Sequence, residues 1–262
     1  MDIGTLPVRG DDRMLRLFEI PLFLPKGERI HPSMGSVFHG ALMERLPSEL
    51  AGRLHQESLR PYSQCVFFDR DKGPIWRLGT MSDHVAQALL FGLEEGGAIA
   101  LHQKGYDVHL GEICCVQACS FDDLADIAFC AETVPHGAMF SFLSPTSFKR
   151  DGRYVLFPDV RLILQSLLMR WNALCPHIRL EEDNLVEKLT AQAVIVRYQL
   201  HSAVFSLERQ RITGFQGNVT LRFGGTDAIC RILTLLTIFA PFAGVGIKTA
   251  LGMGAVQTVL LE

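Results

Sequence analysis

The sequence predicts an α+β protein in which the order β-α-β-β-α-β occurs twice along the chain. Three observations predict it. Strand-like and helix-like segments follow that order in residues 14–120 and again in residues 138–261. Apolar residues make up 48% of the chain and charged residues 20%, enough to bury a core behind two sheets. A glycine-rich stretch, Gly244-Val245-Gly246-Ile247-Lys248-Thr249-Ala250-Leu251-Gly252-Met253-Gly254, separates the most apolar helix from the last strand.

Residues 1–12 are polar and expected to be loosely held. Met14–Leu24 reads as a strand on Leu15, Leu17 and Phe23, and Pro25–Pro32 as a loop. Gly35–Leu46 has helical spacing, with Phe38, Ala41, Leu42 and Leu46 on one face. Pro47-Ser48 restarts a short helix that carries Leu50 and Leu54 and ends near His55. Cys65–Asp69 and Ile75–Thr80 form a hairpin around Asp71-Lys72-Gly73. Ser82 caps a helix running to Leu93, because a hydroxyl can accept from an amide left unpaired in the first turn. Tyr106–Ser120 reads as one long strand. This is the ferredoxin-like order. Phe121–His136 reads as a connector.

The second unit opens with Ala138–Phe148, which Asp151-Gly152 turns into Tyr154–Phe157. Asp159–Cys175 is the clearest helix. Val160, Ile163, Leu164, Leu167, Leu168, Trp171 and Leu174 recur at i, i+3, i+4, i+7, and Pro176 stops it. Thr190–Leu207 and Ile212–Phe223 form a long hairpin, Thr226–Phe239 the second helix and Ala255–Leu261 the last strand. The expected units are residues 1–130 and 137–262, packed with a cleft between them.

Glycine lacks a Cβ and tolerates φ > 0, so the two G-x-G pairs permit close backbone approach, and free N–H groups beside Lys248 suit a phosphate. A flexible turn before the last strand is the plainer reading. A P-loop is excluded, because Ile247 separates Gly246 from Lys248. A dinucleotide fingerprint is excluded by the order helix, loop, strand.

The net charge of −3 and the pI of 6.3 do not mark a general nucleic-acid binder, so a phosphate-binding surface has to be a local patch. Seven cysteines, an odd number without a C-x-x-C pair, are expected to be reduced in a cytoplasmic protein. Cys114, Cys115 and Cys119 do not have the spacing of the common zinc sites, and H-E-x-x-H is missing. No basic-then-apolar leader opens the chain, and Arg231 and Pro241 interrupt the most apolar window, Ala228–Ile247.

His55 stands at the end of the second short helix, in Leu54-His55-Gln56-Glu57-Ser58-Leu59-Arg60-Pro61-Tyr62-Ser63. It either faces a cleft and exchanges protons near neutral pH, or bonds the last carbonyls of its helix. His39 has Met43 one turn later and reads equally as a helix-surface residue. Lys149, Arg150 and Arg153 surround one turn, Arg209 and Arg211 another; such tips are either solvated or hold a phosphate backbone.

Four features together resemble the CRISPR-associated endoribonucleases that cut precursor CRISPR RNA within its repeats, part of the RAMP superfamily. They are the loop of form G-x-G-x5-G-x-G; Phe38-His39-Gly40-Ala41-Leu42 with Leu54-His55 and Arg60-Pro61-Tyr62-Ser63; Leu143-Ser144-Pro145-Thr146; and the duplicated order of elements. The resemblance implies tandem ferredoxin-like (RRM-like) domains and metal-independent cleavage without a cofactor. The 2′-hydroxyl attacks the adjacent phosphate, leaving a 2′,3′-cyclic phosphate and a 5′-hydroxyl.

The resemblance also implies site residues. His55 matches the family's catalytic histidine. The family's first-helix tyrosine is replaced here by His39 or Met43, so the second catalytic role falls to His39 or to no residue, and Arg60 is the nearest cation after the histidine. RNA contacts are expected from Gly244, Gly246, Lys248, Thr249, Gly252 and Gly254, with Lys149 and Arg150. Expected partners are CRISPR repeat RNA and subunits of a CRISPR effector complex, for a monomer or homodimer away from any membrane. The other readings are a RAMP scaffold that binds CRISPR RNA without cutting, and a ferredoxin-like small-molecule protein. Cleavage of repeat RNA in EDTA separates the first pair, and absence of RNA affinity singles out the third.

Overall fold

A computed structural model of the chain describes residues 14–56, 59–94, 97–175, 177–207 and 210–262, with backbone alone at 53, 55, 56 and 94. β1 (Met14–Phe23) lies at the middle of the first sheet. It is followed by α1 (Gly35–Met43) and α2 (Ser48–Gln56), and then by the hairpin of β2 (Tyr62–Asp69) and β3 (Gly73–Thr80). At the hairpin turn Asp69 Oδ1 accepts from the amides of Asp71 and Lys72 at 2.9 and 3.0 Å. α3 (Asp83–Glu94) then crosses back. The three helices bury Phe38, Leu42, Leu54, Val85 and Leu89 against Phe18, Ile20 and Trp76 of the sheet.

Tyr106–Ser120, expected as one strand, is two. After β4 (Ala98–Leu101), β5 (Tyr106–Leu110) pairs with β4 and the end of β1, and β6 (Cys114–Ser120) pairs with the body of β1. The break falls at Gly111, whose amide donates to Pro21 O at 2.8 Å and which packs on the Pro21 ring. The principal strands lie in the order β2-β3-β1-β6, all antiparallel, which is the ferredoxin-like sheet.

The expected connector also holds a helix, α4 (Phe121–Phe129), opened by a capping box. Ser120 Oγ accepts from the Asp123 amide at 3.0 Å and Asp123 Oδ2 accepts from the Ser120 amide at 2.7 Å. Arg231 closes its other end by donating to Ala128 O and Ala131 O, both at 3.0 Å.

The second sheet starts with β7 (Gly137–Thr146) and adds a small hairpin, β8 (Phe148–Arg150) and β9 (Arg153–Val155). α5 (Val160–Leu174) has Asp159 at its N-cap, accepting from the Leu162 amide at 3.2 Å. α6 (Leu185–Gln192) occupies the start of the expected Thr190 strand. Thr190 Oγ1 instead donates to Val186 O one helical turn back, and Leu185 and Leu189 bury one face. β10 (Ala193–Leu207) and β11 (Gln210–Phe223) form the long hairpin. α7 (Asp227–Ala243) and β12 (Val256–Leu261) complete the unit, with the order β10-β11-β7-β12.

α7 runs past its expected end at Phe239 and through Pro241. Proline has no N–H for the carbonyl four residues back, and here Thr258 Oγ1 donates to that carbonyl, Thr237 O, at 3.0 Å. The last turn of the helix meets the first sheet. Ser63 Oγ donates to Phe242 O at 2.7 Å, and a Cβ on Gly79 would lie 2.4 Å from the same oxygen.

Phe121 of α4, Trp171 of α5 and Phe239 of α7 pack with centroids 5.3–6.0 Å apart, so one core joins the units. Where the sheets approach, Glu19 is buried with Arg77, Nη2 to Oε1 at 2.5 Å, and Lys72 reaches its other oxygen at 2.6 Å. Arg77 also lies 4.9 Å from the Phe67 ring centroid. Among the described residues no helix is long and apolar enough to cross a membrane.

Candidate active site

α1 begins with a 3-10 turn, Pro32–Met34, that His31 caps by accepting from the Ser33 amide. The helix buries Phe38, Ala41 and Leu42, which turns His39 to the half-buried flank above the start of β2. There the hydroxyl of Tyr62 lies 3.2 Å from His39 Nδ1, and the two rings stack at 19° with centroids 6.3 Å apart. The same hydroxyl reaches Met43 Sδ at 3.9 Å. Tyr62 is fully buried, and that burial pushes its pKa above the ordinary phenol range, against a smaller opposing pull from the Arg60 charge.

His55 falls on the last turn of α2, and its side chain lies outside the described residues. Arg60 sits beyond that helix and folds back on it, with Nε donating to Leu54 O at 2.6 Å. This closes a carbonyl the helix end leaves unpaired. The structure thus brings His39, Tyr62 and Arg60 together beside the helix end that holds His55.

The glycine loop reaches this site from the other unit. A Cβ on Gly35, one turn before His39, would lie 2.8 Å from Gly252 Cα and 2.9 Å from Leu251 O. Gly252 has φ +111°, a conformation that favours glycine, so backbone touches backbone there. Gln64 fixes the same helix end, donating to Gly35 O at 2.8 Å while accepting from Trp76 Nε1 at 2.9 Å.

The expected run of free amides in the loop is largely engaged. Val245 N donates to Gly254 O, Gly246 N to Ser166 Oγ, Ile247 N to Ser147 O, Met253 N to Lys248 O and Gly254 N to Pro145 O. Gly244, Gly252, Gly254 and Thr249 are buried, and Gly244 packs against the Thr249 side chain. Gly246 is half-buried against Ser147 O. Lys248, half-exposed in the left-handed region at φ +55°, is the cation the loop presents.

Lys149 and Arg150 are exposed on the β8–β9 hairpin, which begins where Gly246 meets Ser147 and Phe148. Arg150 Nη1 is paired with Asp159 Oδ2 at 2.9 Å. Cys114 and Cys115 are exposed neighbours on β6 and so point to opposite faces. Among the described residues no three His, Cys, Asp or Glu side chains converge as metal ligands would. Sequence reasoning missed Tyr62 as the partner of His39; its one signal was a tyrosine at the head of a strand, directly after Pro61.

The family model described as CRISPR-associated endoribonuclease Cas6 matches residues 140–256. The Cas6 endoribonuclease of Streptococcus thermophilus is 30% identical over 230 residues, covering 87% of this chain and 93% of that protein. The one of Mycobacterium tuberculosis is 28% identical over 258 residues, covering 95% of this chain and 81% of that protein. Among solved structures, a Cas6 product complex superimposes with a TM-score of 0.76 at 25% identity, over 94% of this chain and all of that one. With two ferredoxin-like sheets in tandem and this degree of likeness along its length, the chain belongs to the Cas6 family of CRISPR-associated endoribonucleases.

Proposed function

We propose that this protein cuts precursor CRISPR RNA within its repeats, with no metal ion, through its own side chains. The supporting observation is the seating of His39 on the Tyr62 hydroxyl beside the α2 terminus that holds His55 and Arg60. In the reaction a base removes the proton of the 2′-hydroxyl, the 2′-oxygen bonds to phosphorus, and the bond from phosphorus to the 5′-oxygen breaks. An acid returns a proton to that leaving oxygen. The products are a 2′,3′-cyclic phosphate and a 5′-hydroxyl. His55 and His39 share the two proton transfers. Arg60 offers positive charge to the phosphorane.

On the RNA side, Lys248 makes a phosphate contact, and Gly244, Gly246, Thr249, Gly252 and Gly254 shape the loop that carries it. Lys149 and Arg150 extend the cationic surface. In this reading the unit of residues 1–130 supplies the histidines and the unit of residues 137–262 the loop. The protein works in the cytoplasm as a monomer or homodimer and hands its product to CRISPR effector subunits.

The test is incubation of end-labelled repeat RNA with the protein in EDTA. The wild type is expected to leave a cyclic phosphate. His55→Ala and His39→Ala are expected to retain RNA binding and to lose roughly 100-fold or more in cleavage rate, the scale of one acid–base contribution. RNA bound but uncut by the wild type would make the protein a scaffold. Near wild-type rates in both variants would refute the histidine assignment.

A further inference from the structure

Gln64 is a polar side chain in the core of the first unit, 2% exposed. It stands two residues after Tyr62 on β2, and so on the same face of the strand, under α1. Its Oε1 accepts from Trp76 Nε1 at 2.9 Å and its Nε2 donates to Gly35 O at 2.8 Å. An indole nitrogen only donates and a carbonyl only accepts, so the two contacts fix which end of the amide is which. In an α-helix the oxygen of residue i takes the amide of residue i+4, and for Gly35 that is the amide of His39. Gly35 O thus gives one lone pair to the turn that carries His39 and the other to Gln64. The same Nε2 would lie 3.3 Å from a Cβ on Gly252 and 3.6 Å from one on Gly35, so the amide fills the corner where helix, glycine loop and sheet meet.

We infer that Gln64 is a positioning residue for RNA cleavage: it ties the turn of α1 that carries His39 to Trp76 of β3, at the point where the glycine loop packs. The consequence for cleavage rests on the nuclease reading; the clamp itself does not. Helix and strand are matched in step. From Gly35 to His39 the helix advances about 6 Å, and from Gln64 back to Tyr62 the strand advances about 6.6 Å. β2 therefore holds α1 at two successive points, the backbone at Gly35 and the ring at His39, whose Nδ1 is 3.2 Å from the Tyr62 hydroxyl. A carboxylate at position 64 could not donate to Gly35 O, and an aliphatic chain would leave the Trp76 N–H unpaired in the core.

The experiment is single-turnover cleavage of end-labelled repeat RNA by the full chain, with hydrogen exchange across α1 read by mass spectrometry. Gln64→Met keeps the length of the side chain and removes both bonds. Its saturating rate is expected to fall toward the roughly 100-fold cost of a 1 Å misplacement, with half-saturation unchanged, and α1 should exchange faster. Gln64→Glu discriminates a specific clamp from mere filling of space. Protonated, its carboxyl accepts from Trp76 and donates to Gly35 O as the amide does; ionised, it cannot donate. Burial raises the pKa of such a carboxyl, so its rate should approach the wild-type rate near about pH 5.5 and fall away from it as pH rises. Taking the ratio to wild type removes the titration of His39 and His55, which both proteins share. A wild-type saturating rate in Gln64→Met, or a Gln64→Glu ratio that does not change with pH, overturns the inference. Should Gln64→Met fail to fold, the Gln64→Glu ratio decides alone. A wild type that does not cut RNA, with α1 exchanging faster in Gln64→Met, would instead sink the nuclease reading and leave the clamp standing.

Discussion

Gly35 and Gly252 meet backbone to backbone, so the loop of the second unit sets the height of the helix that carries His39 in the first. A methyl group at Gly35 would press on backbone, because the two atoms nearest to it are Gly252 Cα and Leu251 O. Gly35→Ala is therefore expected to destabilise the fold by about 1–3 kcal/mol, the usual cost of overpacking. Repeat cleavage should fall with it as α1 shifts. Urea denaturation and single-turnover rates check both; wild-type values in each would show that the helix does not rest on the loop.

The buried Glu19 predicts an acid limb to stability. Burial raises its pKa, but hydrogen bonds from Lys72 and Arg77 and their charges outweigh that, so its carboxyl sits below the ordinary 4.5. A folded-state value depressed below the unfolded one stabilises above the unfolded value and is lost as pH falls through the folded value. Stability should therefore decline as pH drops below about 4.5. Glu19→Gln should flatten that decline and weaken the fold at neutral pH by about 3–5 kcal/mol, since Arg77 is left without its buried partner. Denaturation curves from pH 3 to pH 7 would settle it.

Arg170 on α5 is 6% exposed, and its Nη1 has no hydrogen-bond acceptor among the described residues. Burial pushes the pKa of its guanidinium down to about 10. Replacing it with methionine keeps the aliphatic stem and removes an unsatisfied donor. Arg170→Met should stabilise the protein by about 1–3 kcal/mol, the penalty of one such group. A lower melting temperature would mean that the guanidinium finds an acceptor in solution.

Lys248 is the cation that the loop presents. If it contacts a phosphate, Lys248→Ala should weaken binding of repeat RNA. It should also reduce the slope of log affinity against log salt by about 0.7–0.9, the release of one counterion. An unchanged slope would separate the loop from the RNA.

The sheets and the principal helices were legible because their periodicity is strong. α5 shows this best, with Ile163, Leu164, Leu167 and Trp171 all buried as their spacing requires. α4 escaped although Ser120 and Asp123 spell its capping box and Phe121, Leu124 and Ala128 are buried, because it is only nine residues long and follows β6 directly, with no turn residue to mark the change. α6 escaped because the β-branched Thr190 and the run after it favour a strand; the burial of Leu185 and Leu189 overrides that preference. At the site, His39 could be named from the chain alone, but its bond to Tyr62 could not. The two stand 23 residues apart, and only the packing of α1 on β2 brings them together. The glycines announced a tight loop, and nothing in their order said that the surface they approach is Gly35.

The bond from Ser63 to the Phe242 carbonyl has a bearing on how the protein is made. On the ribosome, the first sheet emerges long before α7, and until then its Ser63 hydroxyl and the bare flank at Gly79 face solvent or a chaperone. A nascent chain halted short of that helix carries every histidine proposed for the reaction, yet lacks the loop that meets Gly35 at the start of α1. Translation must therefore pass α7 and the glycine loop before a competent nuclease exists, and products terminated ahead of them should accumulate as inert, sticky fragments.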